Sequence, residues 1–358
     1  MNDNENSYFS KPDDKGVRYY QSNNLDGVQT VKRTSNKPLI NSLIVFAVII
    51  FVVILLGVAC NSMMAGGEQE IRLPSRDYIA VLYIQGAITR NNFDSWGSPF
   101  GYQHYWTLEQ IDRLIHDPNN RGLVLYVDSP GGGVYESDAL YHKIKEYQWA
   151  TGRPVYVSMS SMAASGAYYI STPADRIYAN RNCWTGSIGV TIGTIIDISE
   201  FLSNHGVRTT TIVSGNNKAM GSSFDPLTQD QSDILQSLVD EAYEQFINII
   251  AYERNMDIAR VREIADGRIY TASQALELGL IDAIGTLPDA IESMRQSNDL
   301  WHAEIVDIQH IHRSLFANLF GGINVGGINA RGDAAVIMDL VERQNRMPVS
   351  FLCPVLSQ

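Results

Sequence analysis

The chain has 358 residues, 45% hydrophobic and 18% charged, enough apolar material for one large packed domain or two smaller ones. Lysine and arginine number 27 against 39 aspartate and glutamate, a net charge of −12, which argues against a nucleic-acid binder that must neutralise phosphates. Three scattered cysteines, Cys60, Cys183 and Cys353, supply neither a disulfide framework nor the paired spacing of a structural zinc site.

Residues 1–37 are polar, rich in Asn, Ser and Asp, and read as a disordered tail. From Leu43 to Cys60 every residue is apolar or glycine, and no charge stands between Lys37 and Glu68. Eighteen residues at helical rise span about 27 Å, close to the hydrocarbon thickness of a bilayer. With its flanks, 38–62 is expected to be a transmembrane helix, followed by a linker over 63–77. Lys32, Arg33 and Lys37 precede the run, so the tail is expected in the cytoplasm and the body outside. A cleaved signal peptide fits less well, because the polar leader is long for one. Leu56-Gly-Val-Ala-Cys60 loosely matches a lipoprotein processing site, with lipidation at Cys60 as the alternative.

The body opens with a strand at 78–84 (YIAVLYI). Thr107–His116 places Leu108, Ile111, Leu114 and Ile115 on one helical face. Gly122–Val127 (GLVLYV) has the near-continuous apolar pattern of a buried parallel strand. A glycine turn, a helix over Glu136–Trp149, a strand over Val155–Met159 and a short helix from about Ala164 then make a βαβ unit. Arg176–Ala179 and Arg208–Val213 are further strand candidates. Thr228–Asn255 reads as one long helix, with Thr228 and Gln231 as a capping box and an apolar stripe from Ile234 to Ile250. Asp257 is expected to cap a short helix, and Leu287–Arg295 to form another. The main body is drawn at 78–300. The extension over 301–358 holds a glycine-rich loop (317–332), a helix candidate (333–344) and a last strand within 348–353.

Three segments carry chemistry. Asp128-Ser-Pro-Gly-Gly-Gly-Val134 follows a strand, and its glycines free backbone N–H groups to face an oxyanion; a tight turn with no ligand is the alternative. In Met162-Ala-Ala-Ser-Gly-Ala-Tyr168, Ser165 lies between a strand and a helix with the Gly166 N–H beside it, by the logic of a nucleophile elbow; a plain serine N-cap is the alternative. A serine needs a base, and none of the seven histidines sits in a triad context. Lys218, in Val213-Ser-Gly-Asn-Asn-Lys-Ala-Met-Gly221, follows a predicted strand among small polar residues. A lysine serves as a base only where burial disfavours its charged form. Without that burial it is a solvated loop lysine.

Together these motifs resemble the signal peptide peptidase A family, also called protease IV, of bacterial serine peptidases. The matching runs are VDSPGGGVYES (127–137), VSMSSMAASGAYYIS (157–171), TGSIGV (185–190), SGNNKAMGS (214–222) and GRIYTASQALELGLID (267–282). The resemblance covers about residues 78–295, and the length matches the short, single-repeat form. It implies an α/β, ClpP/crotonase-like fold of repeated β-β-α units, a Ser/Lys dyad, and no metal or cofactor. By motif, Ser165 becomes nucleophile and Lys218 general base. Gly132 and Gly166 become oxyanion donors, and Ser187 orients the lysine. A shallow apolar pocket using Val134 and Met162 is also expected. The resemblance further implies a homo-oligomeric ring, with serine and lysine supplied by one subunit or by two adjacent ones, held at the bacterial inner membrane with its catalytic domain outside. Expected substrates are short apolar peptides such as signal-peptide remnants. Ala167 stands where the family commonly has glycine. The competing readings are a crotonase-like acyl-thioester enzyme and a non-catalytic membrane scaffold on the same fold.

Overall fold

The computed structural model describes residues 41, 46–52, 73–93, 99–310 and 350–352. The chain divides into two units, 1–70 and 71–358. In the first, residues 46–52 are helical. The rest of the apolar run at 43–60 lies outside the described residues, and no helix among those described is long and apolar enough to cross a membrane.

The second unit is a mixed α/β fold. It opens with β1 (Tyr78–Gln85), the short strands β2 (Asn91–Phe93) and β3 (Pro99–Gln103), and helix α1 (His104–His116). The pattern recurs as β4 (Asn120–Ser129), β5 (Gly131–Gly133) and α2 (Val134–Thr151). Next come β6 (Val155–Ala164), α3 (Gly166–Ser171), β7 (Arg176–Ala179), β8 (Trp184–Gly186) and α4 (Ser199–Asn204). The long α5 (Gln229–Glu253), α6 (Ile258–Ile264), β9 (Ile269–Thr271) and α7 (Ala272–Glu277) follow. The chain closes with β10 (Ala283–Ile284), α8 (Leu287–Asn298), β11 (Glu304–Ile308) and β12 (Ser350–Leu352).

The main sheet runs β10-β7-β6-β4-β1-β11, all parallel, with β8 joined to the end of β6 and β9 antiparallel to β8. Residues 304–308, past the boundary drawn at 300, thus supply its edge strand. Strand alternation divides the core. Tyr78, Ala80, Leu82 and Ile84 of β1, with Leu123, Leu125 and Val127 of β4, face the larger core under α1, α2, α3 and α5. Ile79, Val81 and Val124 face the smaller one with Ala290 and Met294 of α8. All of these are fully buried, and truncating one of the Leu, Ile or Met side chains among them to alanine costs about 2–5 kcal/mol.

Several elements fall where patterning placed them. Helix α5 is capped by Thr228 with the Gln231 capping box, and Asp257 accepts the Ala259 and Arg260 amides to start α6. The stripe of α5 divides, however: Ala242, Phe246 and Ile250 are buried, whereas Leu238, nearer its start, is exposed. Arg208–Val213 is a correction, because it forms no strand. Its β-branched residues suit a strand only where a neighbouring edge pairs with them. No strand among the described residues does so, and Ile212 is 94% exposed. Residues 317–332 and 333–344 lie outside the described residues. Within 348–353, Ser350–Leu352 is a strand.

Candidate active site

Ser165 occupies the turn between β6 and α3 with φ 56° and ψ −119°. That backbone is strained for a residue carrying a Cβ, and such strain persists only where the surroundings enforce it. They do so here: the Ser165 amide donates to the Gly186 carbonyl (2.7 Å), and the Tyr169 amide donates to the Ser165 carbonyl (2.9 Å). Ser165 is 1% exposed, and its Oγ has no hydrogen-bond partner among the described residues. Buried hydroxyls are ordinarily satisfied, so an unpartnered one on a strained turn marks Ser165 as a candidate reactive group. Its side chain caps nothing, which sets aside the N-cap alternative.

The glycine turn lies against the strap after β1. The Ile88 amide donates to the Gly131 carbonyl (2.8 Å) and the Gly133 amide to the Ile88 carbonyl (2.9 Å). The Gly131 amide donates to Ser129 Oγ (3.1 Å). In a strand the groups of alternate residues point to opposite edges, so the Gly132 N–H faces away from Ile88. On that far edge β12 pairs antiparallel with β5, Phe351 opposite Gly132. Glycine is required at 132, where a Cβ would stand 1.9 Å from the Ile88 carbonyl oxygen.

Ser187 follows β8 with φ 49°, and its amide donates to the Arg268 carbonyl (2.7 Å). It lines a pocket of about 370 Å³ with Thr191, Asp240, Tyr243, Asp266 and Gly267. Neither Val134 nor Met162 lines that pocket. Val134 packs against the larger core at the start of α2, while Met162 is half-buried beside Trp184 in the β6–β8 register. Lys218 lies in a run of turns, its amide donating to the Gly215 carbonyl (3.2 Å), and its side chain is exposed. One chain therefore gathers Ser165, Gly166 and the β8 turn, but it does not bring Lys218 into hydrogen-bond reach of the Ser165 hydroxyl.

Sequence reasoning missed Asp128 as an organising residue. Its carboxylate Oδ1 accepts from Ser161 Oγ (2.6 Å) and from the Met162 amide (3.2 Å). Cys183 is buried, and burial pushes its thiol up to about 12, so it is no nucleophile. Among the described residues no cluster of three His, Cys, Asp or Glu side chains could hold a metal ion.

A model of peptidase family S49 matches residues 148–301. The chain is 36% identical over 236 residues to an Enterococcus faecium protein named for signal peptide peptidase SppA, covering 66% of this chain and 68% of that one. It is 32% identical to a protein of Methanocaldococcus jannaschii named as a protease, covering 74% of this chain and 85% of that one. Against Protease 4 of Haemophilus influenzae, identity is 33% over 61% of this chain but only 34% of that protein. Among solved structures, a ClpP1 variant of Listeria monocytogenes aligns at 14% identity and a TM-score of 0.39, covering 59% of this chain and 94% of that one. On its identity to the Enterococcus and Methanocaldococcus proteins over two thirds or more of their length, the chain belongs to peptidase family S49, the serine peptidases named SppA and Protease 4.

Proposed function

We propose that this chain is a membrane-anchored serine endopeptidase whose Ser165 is activated by Lys218 of a second copy. The observation that carries the reading is Ser165 itself: a buried hydroxyl on a strained backbone, without a partner among the described residues, at a strand-to-helix turn. In this mechanism Ser165 Oγ attacks a peptide carbonyl and passes its proton to the neutral Lys218 amine. The Gly132 and Gly166 N–H groups hold the oxyanion, and Ser187 directs the amine. The protonated lysine then gives its proton to the leaving amine. Water, deprotonated by Lys218, hydrolyses the acyl-enzyme. The substrate takes the place of residues 350–352, which pair antiparallel along Gly131–Gly133, and lies on that edge as the added strand. The repeated strand, short strand and helix pattern agrees with a ClpP/crotonase-like assignment.

A ring of copies explains two further features. Lys218 lies exposed on the same stretch that leaves Ile195, Ile196, Phe201, Ile212 and Phe224 exposed. A second copy covering that stretch would bury those side chains and dehydrate the amine. The run at 43–60, with Lys32, Arg33 and Lys37 before it, supports a bacterial membrane anchor and an extracytoplasmic body. A recessed site there suits short apolar peptides such as remnant signal peptides.

The test mixes two inactive proteins. Ser165→Ala and Lys218→Ala should each abolish cleavage of a short apolar peptide. Co-assembled, they should regain part of the wild-type rate, because one pairing then unites an intact serine with an intact lysine. Full hydrolysis by either single variant sinks the dyad, and silence of the mixed assembly sinks the shared site.

A further inference from the structure

Strands β4 and β6 fall out of step beside the nucleophile turn. Val127 stands opposite Met159, but the next paired residue on β4, Ser129, stands opposite Ala163. Asp128 alone therefore faces Ser160, Ser161 and Met162, a bulge in β6. The bulge lies where β6 changes neighbours. Before it, Tyr156–Met159 pairs with β7; from Met162 to Ala164 it pairs with β8. The residue after Ala164 is Ser165, whose amide rests on the Gly186 carbonyl at the end of β8.

A bulge frees backbone groups, and something must satisfy them. Asp128 Oδ1 does so by accepting both the Met162 amide and the Ser161 hydroxyl, while the Asp128 carbonyl accepts the Gly86 amide (3.0 Å) and ties the bulge to β1. Tyr126 Oη donates to Ser160 Oγ (2.8 Å) from the same strand. We propose that Asp128 is a positioning residue: its side chain sets the β6 bulge, and the bulge aims Ser165. This rests on the reading of Ser165 as nucleophile. The carboxylate acts as an acceptor and not as a charge, so an amide oxygen in its place should serve.

The experiment follows labelling of the full-length protein by a fluorophosphonate probe together with peptide kinetics. Asp128→Ala should slow labelling and lower kcat by about 10- to 100-fold with KM nearly unchanged, the range for a displaced reactive group. Asp128→Asn, which keeps an oxygen for both donors, should stay within about threefold of wild type, with an unshifted pH profile. Ser161→Ala should slow labelling about threefold and should add nothing on an Asp128→Ala background. It is also the readout should Asp128→Ala fail to fold. Wild-type labelling in Asp128→Ala or in Ser161→Ala overturns the proposal, as does an Asn variant as slow as the Ala variant. Equal labelling of Ser165→Ala and wild type instead overturns the nucleophile assignment, so the two failures are told apart.

Discussion

The Ser165 amide donates to the Gly186 carbonyl over 2.7 Å, and one residue later the Ser187 amide donates to the Arg268 carbonyl over the same distance. The end of β8 thus holds the Ser165 turn on one side and is itself held by β9 on the other. Gly186 allows this with φ +79°, and a Cβ there would stand 2.5 Å from Tyr270 Cδ2. Gly186→Ala should therefore lower the melting free energy by about 1–3 kcal/mol and reduce peptide cleavage by at least about tenfold. Paired calorimetry and kinetics check it. A fully active, fully stable alanine variant would show that the Ser165 turn does not depend on β8.

How far the sequence reveals this site depends on the range of the forces involved. Ser165 and the Gly131–Gly133 turn are readable because strand, small residues and helix start are all local. The α5 cap is readable for the same reason, since Thr228 and Gln231 are three residues apart. The Asp128 bulge is not, because it exists only in the register between β4 and β6. Arg208–Val213 misleads, since Thr, Ile and Val satisfy strand propensity while the paired edge they need lies nowhere in the local sequence. Lys218 is readable by motif alone. That one chain leaves it out of reach of the Ser165 hydroxyl is a matter of long-range placement, which no run of residues spells out.

Gly132 and Gly152 offer a matched pair of glycine tests. A Cβ at 132 would overlap the Ile88 carbonyl, 1.9 Å away, and push the strap off the turn. At 152, which ends α2 with φ +65°, nothing lies within 4 Å of a Cβ. Gly152→Ala should cost only the left-handed backbone penalty, about 1 kcal/mol, and leave kcat unchanged. Gly132→Ala should lose about 100-fold or more in kcat, if its N–H is the oxyanion donor proposed above. Similar activities in the two variants would remove Gly132 from the site.

Arg254 and Asp282 join the end of α5 to the turn before β10. Arg254 Nη2 lies 2.7 Å from Asp282 Oδ1, Nη1 lies 3.2 Å from Oδ2, and the guanidinium also donates to the Gly279 carbonyl. Asp282 Oδ2 additionally accepts the Ile177 amide (2.7 Å). The Arg254 side chain is largely buried, so Asp282→Ala should cost about 3–5 kcal/mol by stranding a cation. The double variant Arg254→Met with Asp282→Asn removes the charge and keeps an acceptor for Ile177, and it should recover most of that loss. Urea denaturation of the three proteins decides. If the double variant is no more stable than Asp282→Ala, the lost stability lies elsewhere than in the stranded cation.

His104, at the start of α1, gives the fold a pH dependence of definite sign. Its Nδ1 lies 2.7 Å from Tyr102 Oη, while Nε2 is buried without a partner among the described residues. Burial, helped by the nearby Arg90 cation, brings it down to about 4. In the unfolded chain an imidazole takes its proton near 6.5. Above that pH neither state holds the proton, and His104 contributes nothing to the pH dependence. As the pH falls below 6.5 the unfolded chain gains a proton that the folded one refuses until about 4, so stability declines, by at most about 3 kcal/mol. His104→Phe removes the titration, so its denaturation free energy should fall less between pH 7 and pH 4.5 than that of the wild type. Parallel curves for the two proteins across that interval would mean that the imidazole is hydrated and free to ionise in the folded chain.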